Sequence, residues 1–90
     1  MPDLKEANLR GGEVAGWTYG NVLTRVYQNQ NRNGRMYYTV IQDRLFGRKV
    51  GGTGTAKSFY CGDVKNMMHG LVRARIWLNK KKREETLGLF

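Results

Sequence analysis

An α+β fold is predicted: a twisted antiparallel sheet of three or four strands followed by one C-terminal amphipathic helix, the whole paired as a homodimer. Three observations predict it. Two β-rich runs flank Asn33-Gly34, a shorter β-rich run ends at Cys61, and apolar residues recur at helical spacing from Val64 to Lys80. Ninety residues make one domain with a small core, and a 40% hydrophobic content separates the chain from disordered basic tails. The expected organisation is a flexible arm over 1–16, a β-β-β-α domain over 17–83 and a tail over 84–90.

The arm is polar and holds Gly11, Gly12 and Gly16. A further edge strand is expected around Gly16–Tyr19. VLTRVYQNQ, from Val22 to Gln30, alternates and reads as a strand. RMYYTVIQDRLF, from Arg35 to Phe46, is its hairpin partner, because both residues of Asn-Gly tolerate positive φ. Gly47–Gly54 reads as a glycine- and base-rich loop, and Thr55–Cys61 as a short third strand. Gly62-Asp63 then offers a helix start, with Asp63 as cap or first-turn acid.

A two-residue turn at Asn33-Gly34 pairs Val26 with Ile41 and Val22 with Leu45, and a four-residue loop keeps the same faces. One face then carries Val22, Val26, Ile41 and Leu45, with Tyr37 near the hairpin end. It reads as the core. The other carries Arg25, Tyr27, Tyr38, Val40 and Arg44. An odd-length loop with a bulge would break this assignment. On the helix, the apolar arc spans more than half the wheel, more than one sheet face needs. Met68, Val72 and Ile76, with Arg75 inside the arc, are therefore assigned to a dimer or partner interface. Trp77 and the lone Cys61 read as packing residues, and His69 as a boundary residue on the helix.

Charge and aromatics point to function. From Val14 to Arg83 there are 14 Lys/Arg against two acids, Asp43 and Asp63, a local net charge of 14 − 2 = +12. Within the same stretch sit Tyr27, Tyr37, Tyr38, Phe59, Tyr60 and Trp77. Cations hold a phosphate backbone, and aromatic faces stack on unpaired bases. The expected ligand is single-stranded nucleic acid, DNA in preference to RNA, bound without sequence preference. Arg25, Tyr27, Arg35, Tyr38, Arg44, Arg48, Lys49 and Lys57 are the candidate contacts, the two tyrosines stacking and the cations engaging phosphate. The same face could instead be a plain solvent-exposed sheet surface with Tyr–Arg packing.

Other chemistries find little support. Gly51-Gly52-Thr53-Gly54-Thr55-Ala56-Lys57-Ser58 approaches a phosphate-binding loop, but Ala56 stands where glycine precedes the lysine, and a strand-like run follows. One histidine, one cysteine and two central acids leave no metal cluster and no carboxylate pair, so neither an enzyme nor a cofactor is expected. A single cysteine allows no intrachain disulfide. No apolar stretch reaches membrane-spanning length, and no signal sequence is evident, so a cytoplasmic or nucleoid setting without membrane contact is expected. The alternative function is a protein-interaction module, an accessory or inhibitor protein of phage or mobile-element type. It would dock through the apolar helix face or a strand edge, on a partner that could be acidic.

Val26-Tyr27-Gln28-Asn29, Gly34, Tyr37-Tyr38, Val40, Arg44, Lys57-Ser58-Phe59 and Asp63 before an apolar helix form a pattern over about half the chain. In these residues the chain is similar to a group of short bacterial proteins whose function is not established. More distantly, its strands-then-helix order resembles the single-stranded-DNA-binding folds of the positive-cofactor-four coactivators and the Whirly proteins. That resemblance implies a sheet-face site at Arg25, Tyr27, Tyr38 and Arg44, with helix 64–80 at a dimer interface.

Overall fold

The computed structural model describes residues 12–47 and 51–87. Four antiparallel strands form one sheet in chain order: β1 (Glu13–Tyr19), β2 (Val22–Gln30), β3 (Met36–Gly47) and β4 (Thr53–Ala56). A single 3-10 turn, Cys61–Asp63, leads into helix α1 (Val64–Leu87). The architecture is therefore α+β, a meander with one C-terminal helix.

β1 is a full strand that begins inside the stretch expected to be an arm. Its pairing with β2 runs from Tyr19 opposite Val22 back to Glu13 opposite Tyr27, with an irregularity between Glu13 and Ala15. The connection is the two-residue Gly20-Asn21, where Gly20 takes φ 58°. Glycine at the first turn position with positive φ matches the right-handed twist of a tight hairpin.

The β2–β3 hairpin overturns the expected division of faces. Val22 lies opposite Arg44, and Val26 opposite Val40. Asn33-Gly34 does not make a two-residue turn. The Asn31 N–H donates to the Arg35 carbonyl (2.9 Å), and the Gly34 N–H donates to the Asn31 carbonyl (3.0 Å). Gly34 has φ 82°, and no other residue of this loop has positive φ. This is a three-residue connection, a type I turn closed by a glycine bulge. The Asn31 side chain locks it, its Oδ1 accepting from the N–H groups of Asn33 and Arg35, both at 2.9 Å. An odd-length loop shifts the register by one residue, which moves every β3 side chain to the opposite face.

The helix-covered face consequently carries Val22, Thr24 and Val26, all at 0% exposure, beside Tyr38, Val40, Gln42 and Arg44 of β3 and Trp17 and Tyr19 of β1. Ile41, Leu45 and Tyr37, expected in the core, lie on the open face instead. α1 packs on β1 and β2. Close approach is possible because Gly70 has no side chain: a Cβ there would stand 1.9 Å from Thr24 Oγ1 and 2.9 Å from Thr24 Cβ. The Gln42 amide spans the seam, donating to Thr24 Oγ1 and to the Met67 carbonyl, both at 2.9 Å. These bonds satisfy a hydroxyl that would be costly to bury alone. Tyr38 meets Trp77 edge-on (5.4 Å), and Tyr19 meets His69 likewise (5.6 Å).

α1 continues to Leu87, past the expected end near Lys80 and through most of the stretch read as a tail. Lys80 to Glu85 are good helix formers, and no glycine or proline intervenes before Gly88. Cys61, expected to pack, is exposed at the turn that starts the helix.

Candidate nucleic-acid interface

The open sheet face, away from α1, gathers Arg25 and Tyr27 of β2 with Tyr37 and Ile41 of β3. Tyr27 lies opposite Thr39, and Tyr37 opposite Asn29, so the two rings occupy neighbouring positions toward the hairpin. The Arg25 Nη1 donates to Tyr27 Oη at 3.0 Å. That bond, opposed by desolvation and helped by the Tyr27, Glu13 and Asp43 charges, pushes the Arg25 guanidinium pKa up. Asn29 Nδ2 donates to Thr39 Oγ1 at 3.0 Å, fixing a polar rung between the two tyrosines. Tyr27 is half-buried and Tyr37 is 46% exposed. Unpaired bases stack on exposed aromatic rings of this kind.

The expected contacts do not all converge. Arg25, Tyr27 and Lys57 fall on or beside the open face. Arg35 closes the hairpin at its end. Tyr38 and Arg44 fall on the helix-covered face because of the register shift. Tyr38 is engaged with Trp77. Burial and then the nearby Glu85 raise its pKa. The Arg44 Nε donates to the Ser58 carbonyl at 2.8 Å, and its guanidinium lies over Tyr60 (4.4 Å). Arg48 and Lys49 lie outside the described residues. Tyr37 is the residue that sequence reasoning placed in the core. The signal that finds it is Asn31, whose side chain selects the odd-length turn.

Electrostatics divide the open face in two. Lys57 pairs with the nearly buried Asp43, and Arg25 feels both Glu13 and Asp43. Among the described residues, the cations on the side nearest β4 are thus matched by carboxylates. At the hairpin end Arg32 and Arg35 are exposed and make no ion pair within the described residues. On the open face, among the described residues, exposed cations and aromatics meet at the hairpin half, which holds Tyr27, Tyr37, Arg35 and Arg32 with Arg25 at its inner edge.

The outer side of α1 is a second exposed surface. Val64, Met68, Leu71, Val72 and Ile76 are each 48–60% exposed, while Gly70 and Ala74 on the opposite side are buried. The expected interface residues Met68, Val72, Arg75 and Ile76 all lie on this outer side. Among the described residues there is no grouping of metal-ligating side chains and no helix long and apolar enough to cross a membrane. Comparison with known families, curated proteins and solved structures returns no match.

Proposed function

We propose that the chain binds single-stranded nucleic acid, DNA in preference to RNA, on the hairpin half of its open sheet face. One observation carries the reading: Tyr27 and Tyr37 sit at neighbouring positions of an uncovered sheet, between Arg25 and the exposed cations Arg32 and Arg35, which make no ion pair among the described residues. Tyr27 and Tyr37 stack on successive bases. Arg32 and Arg35 take phosphates, and Arg25 holds the Tyr27 ring in place while reaching the strand itself. Stacking on aromatic faces and contact with phosphates are indifferent to base identity, so the binding tolerates sequence.

The test is a fluorescence-anisotropy titration of labelled single-stranded DNA, duplex DNA and single-stranded RNA at two salt concentrations. The wild type is compared with Tyr27→Ala, Tyr37→Ala and Tyr60→Ala. Loss of one stacked base costs about 1–3 kcal/mol, a weakening of roughly five- to 150-fold. The first two variants should show it on single strands. Tyr60→Ala, a more exposed ring on the other side of the sheet, should bind as the wild type does. Equal weakening by all three, or none by the open-face pair, refutes the platform.

A further inference from the structure

We infer that two copies of this chain associate through their helix sides, forming a three-layer assembly in which both α1 helices lie between the two sheets. The starting point is a shortage of cover. Four strands about 4.8 Å apart make a surface wider than the about 10 Å that one helix shields. α1 lies on β1 and β2. On the same face Val22 and Val26 are fully buried, whereas Val40 and Phe46 of β3 are 37% and 40% exposed. Tyr60, stacked on Arg44 at the rim of this strip, is 68% exposed. The sheet therefore lacks cover over Val40 and Phe46 of β3, whereas Gly54 of β4 on the same face is buried.

The same chain carries what this strip lacks. Val64, Met68, Val72 and Ile76 are spaced four residues apart and form one row along the outer side of α1, with Leu71 beside it. This row lacks a sheet, and the exposed strip of β3 lacks a helix. A two-fold axis satisfies both at once: each α1 rests on its own β1–β2 and receives the partner's β3 strip on its outer side. Side chains of these types expose roughly 150–220 Å² when free, so the eight residues leave roughly 700 Å² uncovered per copy, near the about 800 Å² per partner of a standard interface.

Charge bears on the choice of occupant. Lys65 and Arg75 border the row, where their stems extend the apolar surface and their heads reach water at its rim. Each copy has a net charge of +9, so association works against mutual repulsion. Salt screens that repulsion and should tighten the dimer, the opposite of its effect on nucleic-acid binding or on docking of an acidic partner. The arrangement leaves both open sheet faces outward, on opposite sides. If the nucleic-acid reading holds, one dimer takes two strands. The dimer itself does not rest on that reading.

Sedimentation equilibrium of the full chain, without nucleic acid and at two salt concentrations, tests it. The expected mass is about 20.6 kDa, twice the 10.3 kDa chain, with tighter association at higher salt. Val72→Glu combined with Ile76→Glu should give the single-chain mass with an unchanged far-ultraviolet circular dichroism spectrum. A second measurement needs no variant: the rate of Met68 sulfoxide formation in dilute peroxide should fall as wild-type protein is concentrated. A wild type that stays monomeric at micromolar concentration overturns the proposal. So does a dimer indifferent to the double substitution, association that weakens with salt, or a Met68 oxidation rate independent of concentration. An open surface in a stable monomer would instead be a docking site for another protein.

Discussion

Replacing Gly70 by alanine sets two opposing effects against each other. In an ordinary helix interior the change stabilises by up to about 1 kcal/mol, because alanine is the better helix former. Here the new methyl would stand 1.9 Å from Thr24 Oγ1, 2.9 Å from Thr24 Cβ and 3.2 Å from Gln42 Nε2. Rotation of Thr24 relieves the first contact but gives up the bond from Gln42. The second contact remains, since the Cβ is fixed to its strand. The helix must therefore withdraw, which stretches the Gln42 bond to the Met67 carbonyl. Overpacking of this kind costs about 1–3 kcal/mol, and a disturbed buried hydrogen bond about another 1 kcal/mol. Net destabilisation of about 1–3 kcal/mol follows, a fall in Tm of roughly 4–8 °C per kcal/mol for a domain of this size. Thermal unfolding followed by circular dichroism reads it. Thr24→Ala removes the hydroxyl, so the Gly70→Ala penalty should shrink in that background, a coupling that a double-mutant cycle measures. A Tm that rises on Gly70→Ala alone refutes the close helix–sheet approach.

Tyr38→Ala should lower stability by about 1–3 kcal/mol, by loss of its edge contact with Trp77, and leave single-strand affinity within about twofold; urea unfolding and anisotropy separate the two. Because burial and Glu85 raise the Tyr38 pKa in the folded state, its contribution is complete below its ordinary value of 10.0 and is lost as pH climbs through the higher folded value. The stability of Tyr38→Phe should accordingly fall less steeply above pH 10 in unfolding measured against pH. Tyr27→Phe keeps the ring and loses only the bond from Arg25. Its single-strand affinity should stay within about threefold of wild type, far from the loss given by Tyr27→Ala.

Architecture was legible because the signals that carry it are local. Alternation marked β2 and β3, Gly62-Asp63 marked the entry to the helix, and the two-sided apolar helix announced that one sheet face would not consume it. The Asp63 carboxylate does close that entry, accepting the Tyr60 N–H at 2.9 Å. Membership of the faces was not legible in the same way. It depends on whether the loop holds an even or odd number of residues, and Asn33-Gly34 suits both a two-residue turn and the last two positions of a three-residue one. Asn31 decides, through two hydrogen bonds that pattern reading did not weigh. That one residue exchanges Tyr37 for Tyr38 and Ile41 for Arg44, and so moves the candidate platform toward the hairpin.

The basic composition is a poor guide to which cations act, because the acids in the central stretch are few but well placed. Asp43 is nearly buried, binds Lys57 and lies close enough to Arg25 to affect its pKa. A cation already matched to a carboxylate releases few counterions from a strand, whereas the hairpin cations Arg32 and Arg35 have no such partner among the described residues. The dependence of affinity on salt can therefore be partitioned by residue. Each phosphate contact contributes about 0.7 to the log–log salt slope on single strands. Arg32→Ala and Arg35→Ala should each reduce the slope by about that amount, and Lys57→Ala should leave it nearly unchanged. Asp43→Asn, which frees Lys57, should steepen the slope and tighten binding. A Lys57→Ala effect as large as that at the hairpin would mean that the ion pair opens in the complex, and the strand would then run along β4 rather than over the hairpin.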